Sequence, residues 1–314
     1  MRLAKSVSVM APLPEPGVKL QALLEVDGLP GLPATFIGGL EEGPTVLAVA
    51  GVHGGEYAAI LTLSELAAGL EPPDVRGRLL MIQAVNPQGF QERRATVLPQ
   101  DGRNINSLFY DHSYSGPAAA VAGVITRLQA EADFYLDLHA ADLFEESAPL
   151  ACYPATGNEA VTRASRQAAL MVRAPALIRS SLAGAGITEA ARRGLPSLLI
   201  KRGGAGGACR RAEVDLYKED VLNVLKHLGV VRGRSLAPPN PPEEIEPLYL
   251  RSPRPGLWRP ALRPGQRVRA GQELGQITDF FGRVLETFPA RKDGLVLYGL
   301  QALSANTDDT LLVY

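Results

Sequence analysis

Between about residues 45 and 230 the chain alternates short apolar runs with segments whose apolar residues recur at helical spacing. Thr45-Val46-Leu47-Ala48-Val49-Ala50 is a continuous apolar run of strand length. In the following 56–70 stretch Ala59, Ile60, Leu63, Leu66 and Ala67 return at roughly 3.6 residues, which predicts a helix. The pattern then gives a strand over 78–84, a helix over 118–130 opened by Pro117, and a strand over 134–138. Strands over 150–153 and 197–201 flank a helix over 188–193, with Thr188 as its N-cap and Gly194 as its stop. A helix over 215–228 ends at Gly229. Apolar strands alternating with helices predict an α/β fold: a mainly parallel or mixed sheet with helices on both faces. The first 30 residues add an edge strand at most.

The pattern changes at Ala237-Pro238-Pro239-Asn240-Pro241-Pro242-Glu243-Glu244, which reads as a semi-rigid connector. Beyond it no helical period remains. Short β-like runs punctuated by Pro264-Gly265, Ala270-Gly271, Phe281-Gly282 and Asp293-Gly294 predict a small all-β module. The expected organisation is an α/β domain over 1–236, a linker over 237–246 and the β module over 247–314.

Composition narrows the function classes. The 314 residues carry 32 basic and 33 acidic side chains and a formal charge of −1, which argues against a nucleic-acid partner or a basic membrane patch. No apolar run approaches the roughly 18 residues of a spanning helix, and the first 16 residues lack a signal-peptide core. Cys152 and Cys209 have no paired spacing and read as structural or surface thiols. A cytoplasmic protein with a small-molecule substrate is the expectation, with self-association left open.

The candidate chemistry sits at strand ends. Gly51-Val52-His53-Gly54-Gly55-Glu56 follows the first core strand, and Asp137-Leu138-His139 closes another. Two imidazoles and one carboxylate are a Zn²⁺ ligand set that leaves a position for water. Ligands gather at the carboxyl ends of strands in such sheets. Each residue also has a plain reading. His53 and His139 can be hydrogen-bonded strand-end residues, and Glu56 can be a first-turn carboxylate favoured by the helix dipole. His112 and His227 read as surface residues.

Four motifs in order carry a resemblance: Gly51–Glu56, then Asn86-Pro87-Gln88-Gly89-Phe90, then Asp101-Gly102-Arg103-Asn104-Ile105-Asn106, then Asp137-Leu138-His139. With Gly194-Leu195-Pro196, Gly203-Gly204-Ala205-Gly206 and the tail around Gly265-Gln266-Arg267-Val268, the chain resembles the succinylglutamate desuccinylase/aspartoacylase family, relatives of the zinc carboxypeptidases. The resemblance implies zinc-dependent hydrolysis of an amide in a small, carboxylate-bearing N-acyl amino acid, with one Zn²⁺ per chain held by His53, Glu56 and His139. It puts Asn106, and Arg103 or Arg94, at the substrate carboxylate. It also implies that the β module packs over the site and limits substrate size.

Two departures stand out. Where the family has Asn-Arg this chain has Asn106-Ser107, so a guanidinium is missing. Where the family has its general-base Glu the strand reads Ser197-Leu198-Leu199-Ile200-Lys201. Lys201 can lose its proton and shuttle it, stay charged and stabilise an oxyanion or an acidic substrate group, or be a solvated strand-end lysine. Alternatively another carboxylate takes over; Asp142, Glu145 and Glu146 follow His139 closely, with Glu189 further off. A metal-binding paralogue that has lost catalysis and binds a ligand or partner is the competing function. The Gly-Gln spacing of the β module is also similar to biotinyl and lipoyl carriers. Its hairpin at Asp279-Phe280-Phe281-Gly282 has no lysine to carry a group, and Lys292 lies in a later turn.

Overall fold

Three neighbouring parallel strands end where the candidate chemistry begins, and the rest of the architecture holds them there. The computed structural model describes residues 6–7, 13–110 and 114–314; His112, read above as a surface residue, lies outside them. The main sheet has ten strands, in chain order β1 (Ser6–Val7), β2 (Lys19–Val26), β3 (Leu29–Gly38), β4 (Glu41–Ala50), β5 (Arg76–Ile82), β6 (Phe134–His139), β8 (Leu150–Pro154), β9 (Ala176–Ser180), β10 (Ser197–Lys201) and β11 (Glu243–Glu244). The short β7 (Glu145–Ser147) belongs to a second sheet. Their spatial order is β1-β2-β3-β5-β4-β6-β10-β8-β9-β11. The centre, β5-β4-β6-β10, is parallel, while β2, β3 and the β8–β10 pair bring antiparallel neighbours.

The helices are α1 (Tyr57–Gly69), α2 (Pro87–Gln91), α3 (Pro117–Gln129), α4 (Glu159–Ala169), α5 (Gly186–Arg192) and α6 (Arg211–His227). Side chains alternate along a strand, so one strand feeds two cores. Val46, Ala48, Leu136 and Leu138 pack against Leu63 of α1, Ala168 of α4 and Val221 of α6. Leu47, Val49 and Tyr135 pack against Val121 and Ile125 of α3 and Ile187 of α5. Residues buried on both faces leave no polar alternation, which is why Val46–Ala50 of β4 reads as an unbroken apolar run and β6 is interrupted only by Asp137 before its final His139.

Several boundaries differ from the sequence expectation for identifiable reasons. α5 starts at Gly186, and Thr188 is buried inside it rather than capping it. Tertiary bonds set that start: the Gly186 N–H donates to Asn106 Oδ1 and the Gly184 N–H to Glu189 Oε1. α6 starts at Arg211, ahead of its apolar period, because Arg211 is anchored to Glu65 and Asp215. The N-terminal region gives a full hairpin, β2–β3, rather than a marginal edge strand. The proline-rich stretch carries β11, which pairs in parallel with β9.

The residues after it form small antiparallel sheets. One contains Tyr249–Arg251, Thr310–Val313 and Tyr298–Leu300, and its fourth strand is β7. Another is built on Gly256–Pro260 and Glu273–Thr278 around the buried Trp258. Among the described residues no helix is long and apolar enough to cross a membrane.

α1 must be fixed for Glu56 to be fixed, and a charge network on α6 contributes to that. Glu65 on α1 binds Arg211 and Lys218 on α6. Hydrogen bonds from Arg211, then Lys218, lower its carboxyl to about 2. A carboxyl depressed in the folded state stabilises fully above its unfolded value near 4.5 and loses that effect as pH falls through about 2. Glu65→Gln is therefore expected to lower the unfolding free energy at pH 7 by about 1 kcal/mol or less, seen as a lower urea midpoint, since the network is partly exposed. The two unfolding curves should converge at pH 2; an equal difference at both pH values would contradict the assignment.

Candidate active site

The site starts with a turn. After β4, Gly51 adopts φ +65°, where a side chain is strained, and a Cβ there would lie 2.8 Å from Ile60 of α1. The chain then swings through His53 and enters α1 with Glu56 at its N-cap. The Glu56 side chain makes no capping bond and turns toward His53 and His139. His139 ends β6, in register with Lys201 at the end of β10. The glycine turn after β10 grips the same point. The Ala141 N–H donates to the Gly203 carbonyl, and a Cβ on Gly204, at φ +81°, would lie 2.4 Å from the Ala141 carbonyl oxygen. That glycine stretch thus makes a tight turn beside the site.

His53 Nδ1 lies 3.0 Å from Glu56 Oε1, and His139 Nδ1 lies 3.1 Å from the same oxygen and 3.0 Å from Oε2. Donor atoms of the three residues lie within 4.8 Å of one another. The far ring nitrogens face oxygen acceptors: His53 Nε2 is 3.1 Å from Asn104 Oδ1, and His139 Nε2 is 3.2 Å from Asp137 Oδ1. Asn104 at His53 Nε2 holds the proton there and turns that Nδ1 lone pair inward, while His139 Nε2 lies beside Asp137 without a well-directed hydrogen bond and its Nδ1 faces Glu56. Two lone pairs facing a carboxylate repel it, so positive charge must lie between them, either as protons on Nδ1 or as a cation. Glu56 is buried and its Oε2 has no well-directed donor among the described residues. Such a donor set, with one carboxylate oxygen unclaimed, fits a divalent cation. Without an ion the charges organise differently. Burial alone would raise Glu56, but His139 and His53 hold it well below the usual carboxylate range. Burial pulls His139 down, but Glu56 and Asp137 carry it up to about 10.

Asn104, Asp137 and Tyr217 were not given roles from sequence. Asn104 Oδ1 also accepts from the Asn106 N–H, tying the Asp101–Asn106 loop to His53. Asp137 lies two residues before His139 on the same strand face, a spacing that the sequence does contain. Tyr217 comes from distant α6, with nothing local to mark it; its hydroxyl donates to the carbonyls of His139 and Ile200.

The loop residues expected near substrate lie at different depths. Asn106 is half-buried, and its Oδ1 accepts from Gly186. Arg103 is exposed, with its guanidinium 5.0 Å from the Tyr114 ring. Arg94 is exposed beside Glu92, and the next residue's carbonyl, Ala95, accepts from the Gly55 N–H. Neither arginine is bonded to His53, Glu56 or His139 among the described residues.

Lys201 is not a solvated strand-end lysine. Its ammonium is buried, binds Glu145 Oε2 of β7, and lies 4.4 Å from the Tyr298 ring centre. Burial pulls its pKa down, but Glu145 and Glu56 bring it above the ordinary lysine value. Of the other carboxylates, Asp142 caps the Phe144 N–H, Glu146 binds Gln301, and Glu189 binds Arg192. Cys152 is half-buried and Cys209 exposed, both free, and His227 is exposed in the last turn of α6.

The model of the succinylglutamate desuccinylase/aspartoacylase catalytic domain matches residues 42–228, more than half of the chain. The chain belongs to this family. It is 27% identical over 282 residues to an N-alpha-acetyl-L-2,4-diaminobutyric acid deacetylase of Halomonas elongata, covering 87% of this chain and 82% of that protein. The solved succinylglutamate desuccinylase/aspartoacylase from Rhodobacter sphaeroides superposes with a TM-score of 0.80 at 28% identity, covering 94% of this chain and 93% of the other. The product-bound ectoine utilization protein EutE (DoeB) from Ruegeria pomeroyi reaches 0.86 at 24% identity over 97% of each chain, a likeness of fold. The family is one of amide hydrolases, and the mixed sheet with extra C-terminal β structure is shared with these neighbours.

Removing the Tyr217 hydroxyl deprives the carbonyls of His139 and Ile200 of a buried donor, which costs roughly 1–3 kcal/mol. Tyr217→Phe should unfold in correspondingly less urea. A midpoint unchanged from the parent chain would show that the hydroxyl does not brace the strand ends.

Proposed function

We propose that this chain is a zinc-dependent hydrolase that removes the acyl group from a small N-acyl amino acid. The observation that carries the reading is the convergence of two inward-facing Nδ1 atoms on one buried carboxylate. His53, Glu56 and His139 would hold one Zn²⁺ per chain. When bound, zinc lowers the pKa of a coordinated water to about 7 and polarises the scissile carbonyl.

The chain's own residues do the positioning. Asn104 and Asp137 orient the two imidazoles through their far nitrogens. The Asn106 oxygen is engaged by Gly186, which leaves its amide N–H groups as donors to a substrate carboxylate. Arg103 and Arg94 stand on loops adjoining the site and supply positive charge in place of the guanidinium that Ser107 lacks. A carboxylate-bearing substrate is supported by that arrangement. An N-acyl amino acid is supported further by the named activity of the Halomonas relative. The competing reading, a metal-binding protein without catalysis, draws on Lys201 at the strand end and on the guanidinium missing at Ser107.

The test combines metal content with turnover. Purified chain should contain close to one zinc and hydrolyse at least one N-acetyl or N-succinyl amino acid from a panel, with activity lost to a chelator and restored by Zn²⁺. His53→Ala, Glu56→Ala and His139→Ala should each lose the metal. Asp137→Asn should fold but bind zinc about 10–100-fold more weakly, as expected for loss of an orienting acceptor. Bound zinc with no turnover across the panel would favour the non-catalytic reading; no metal at all would remove both.

A further inference from the structure

The strand-end position at which the family resemblance expects a base carries a cation, yet that cation brings a carboxylate with it. Lys201 Nζ binds only one oxygen of Glu145, Oε2. The Glu145 side chain also borders a cavity of about 410 Å³, together with Ala95, Thr96, Asp142 and Leu300. None of His53, Glu56 and His139 lines that cavity, but two connections bring it near them: the Ala95 carbonyl accepts from the Gly55 N–H beside Glu56, and Lys201, which holds Glu145, is in register with His139. Glu145 is held firmly there. Its carbonyl accepts from the Gly206 N–H of the glycine turn, and β7 is paired to Tyr298–Leu300. The remaining carboxylates are otherwise engaged: Asp137 lies behind His139, Asp142 caps its own loop, and Glu146 and Glu189 bind other side chains.

We propose that Glu145 is the proton-handling carboxylate of this chain, with Lys201 and Tyr298 as positioning residues. The inference rests on the hydrolase reading above. As the water oxygen bonds to the carbonyl carbon, the water proton passes to Glu145. As the C–N bond breaks, that proton goes to the leaving nitrogen, giving a carboxylic acid and an amine and returning Glu145 to its ionised form. The swap preserves function in a simple way. The carboxylate is supplied by β7 instead of β10, and the lysine now at the end of β10 keeps it from swinging away. Burial raises the Glu145 carboxyl while Lys201 draws it down, with a net upward displacement, the direction a proton-accepting carboxylate needs. The C-terminal β structure thereby becomes part of the catalytic apparatus, because it holds β7 in register and lays Tyr298 over the ammonium.

Glu145→Gln keeps the size of the side chain and its bond to Lys201. In the zinc-loaded chain it should reduce kcat on the best N-acyl amino acid by about 10²–10⁴-fold, with KM and zinc content close to the parent and Glu145→Asp intermediate. Lys201→Met should lower kcat, because Glu145 loses its anchor, and should also move the acidic limb of the kcat/KM profile to higher pH, because Glu145 loses its cation. A readout without turnover uses acetohydroxamate. On binding, the parent chain should retain the hydroxamate proton on Glu145, whereas Glu145→Gln should release it to buffer, as seen by calorimetry in two buffers of different ionisation enthalpy. Should Glu145→Gln fail to fold, Glu145→Gln/Lys201→Met, which leaves no unpaired ammonium, is compared with Lys201→Met. Activity of Glu145→Gln within about tenfold of the parent, or equal proton release by both chains, overturns the proposal. If the parent hydrolyses nothing, the function proposed above fails, and the acetohydroxamate result still decides whether Glu145 takes a proton.

Discussion

Everything at this site depends on the Glu56 carboxylate lying buried between two imidazoles. A carboxylate removed from water is costly, and only concentrated positive charge offsets that cost. The fold delivers the charge from two places far apart in the chain. His53 comes from the turn that also starts α1, and His139 comes from the end of β6. Each imidazole is held at its far nitrogen by an oxygen, so the near nitrogens cannot turn away. The neighbouring elements, from the Gly51 turn to the Tyr217 hydroxyl, fix the relative heights of three adjacent strand ends.

A second charged pair stands beside the first. Lys201 and Glu145 are both half-buried, and they join the end of β10 to β7, the strand shared with the C-terminal sheet. The pair accounts for a lysine beside the candidate cation site: Glu145 meets the ammonium's charge first, and Glu56 contributes after it. It also means that the C-terminal strands reach the chemistry through backbone hydrogen bonds to β7 and through one aromatic ring.

Much of this was legible in the sequence, for a physical reason. Central parallel strands are apolar on both faces and short, so β4, β6 and β10 stand out, and the strand-end histidines are visible at once. The Gly-rich turn and the i, i+3 spacing of His53 and Glu56 are local, and local geometry is encoded locally. What was not legible depends on long-range contact. Nothing near Thr188 reveals that Asn106, 80 residues away, helps pull the start of α5 back to Gly186. The pairing of Glu243–Glu244 with β9 is not legible because a proline-rich stretch looks the same whether it is free or pinned to a sheet edge. Glu145 is one of four carboxylates that the sequence offers in place of the missing base, and only the second sheet, by carrying β7, brings it to Lys201.

The central claim is that one cation replaces the protons between Glu56 and the two Nδ1 atoms. X-ray absorption at the zinc edge of the loaded chain tests it most directly. The account predicts two imidazole nitrogens at about 2.0–2.1 Å, with the outer-shell scattering of two rings, and oxygen at about 2.0–2.2 Å. A sulfur shell at about 2.3 Å, or oxygen alone with no ring scattering, would contradict it.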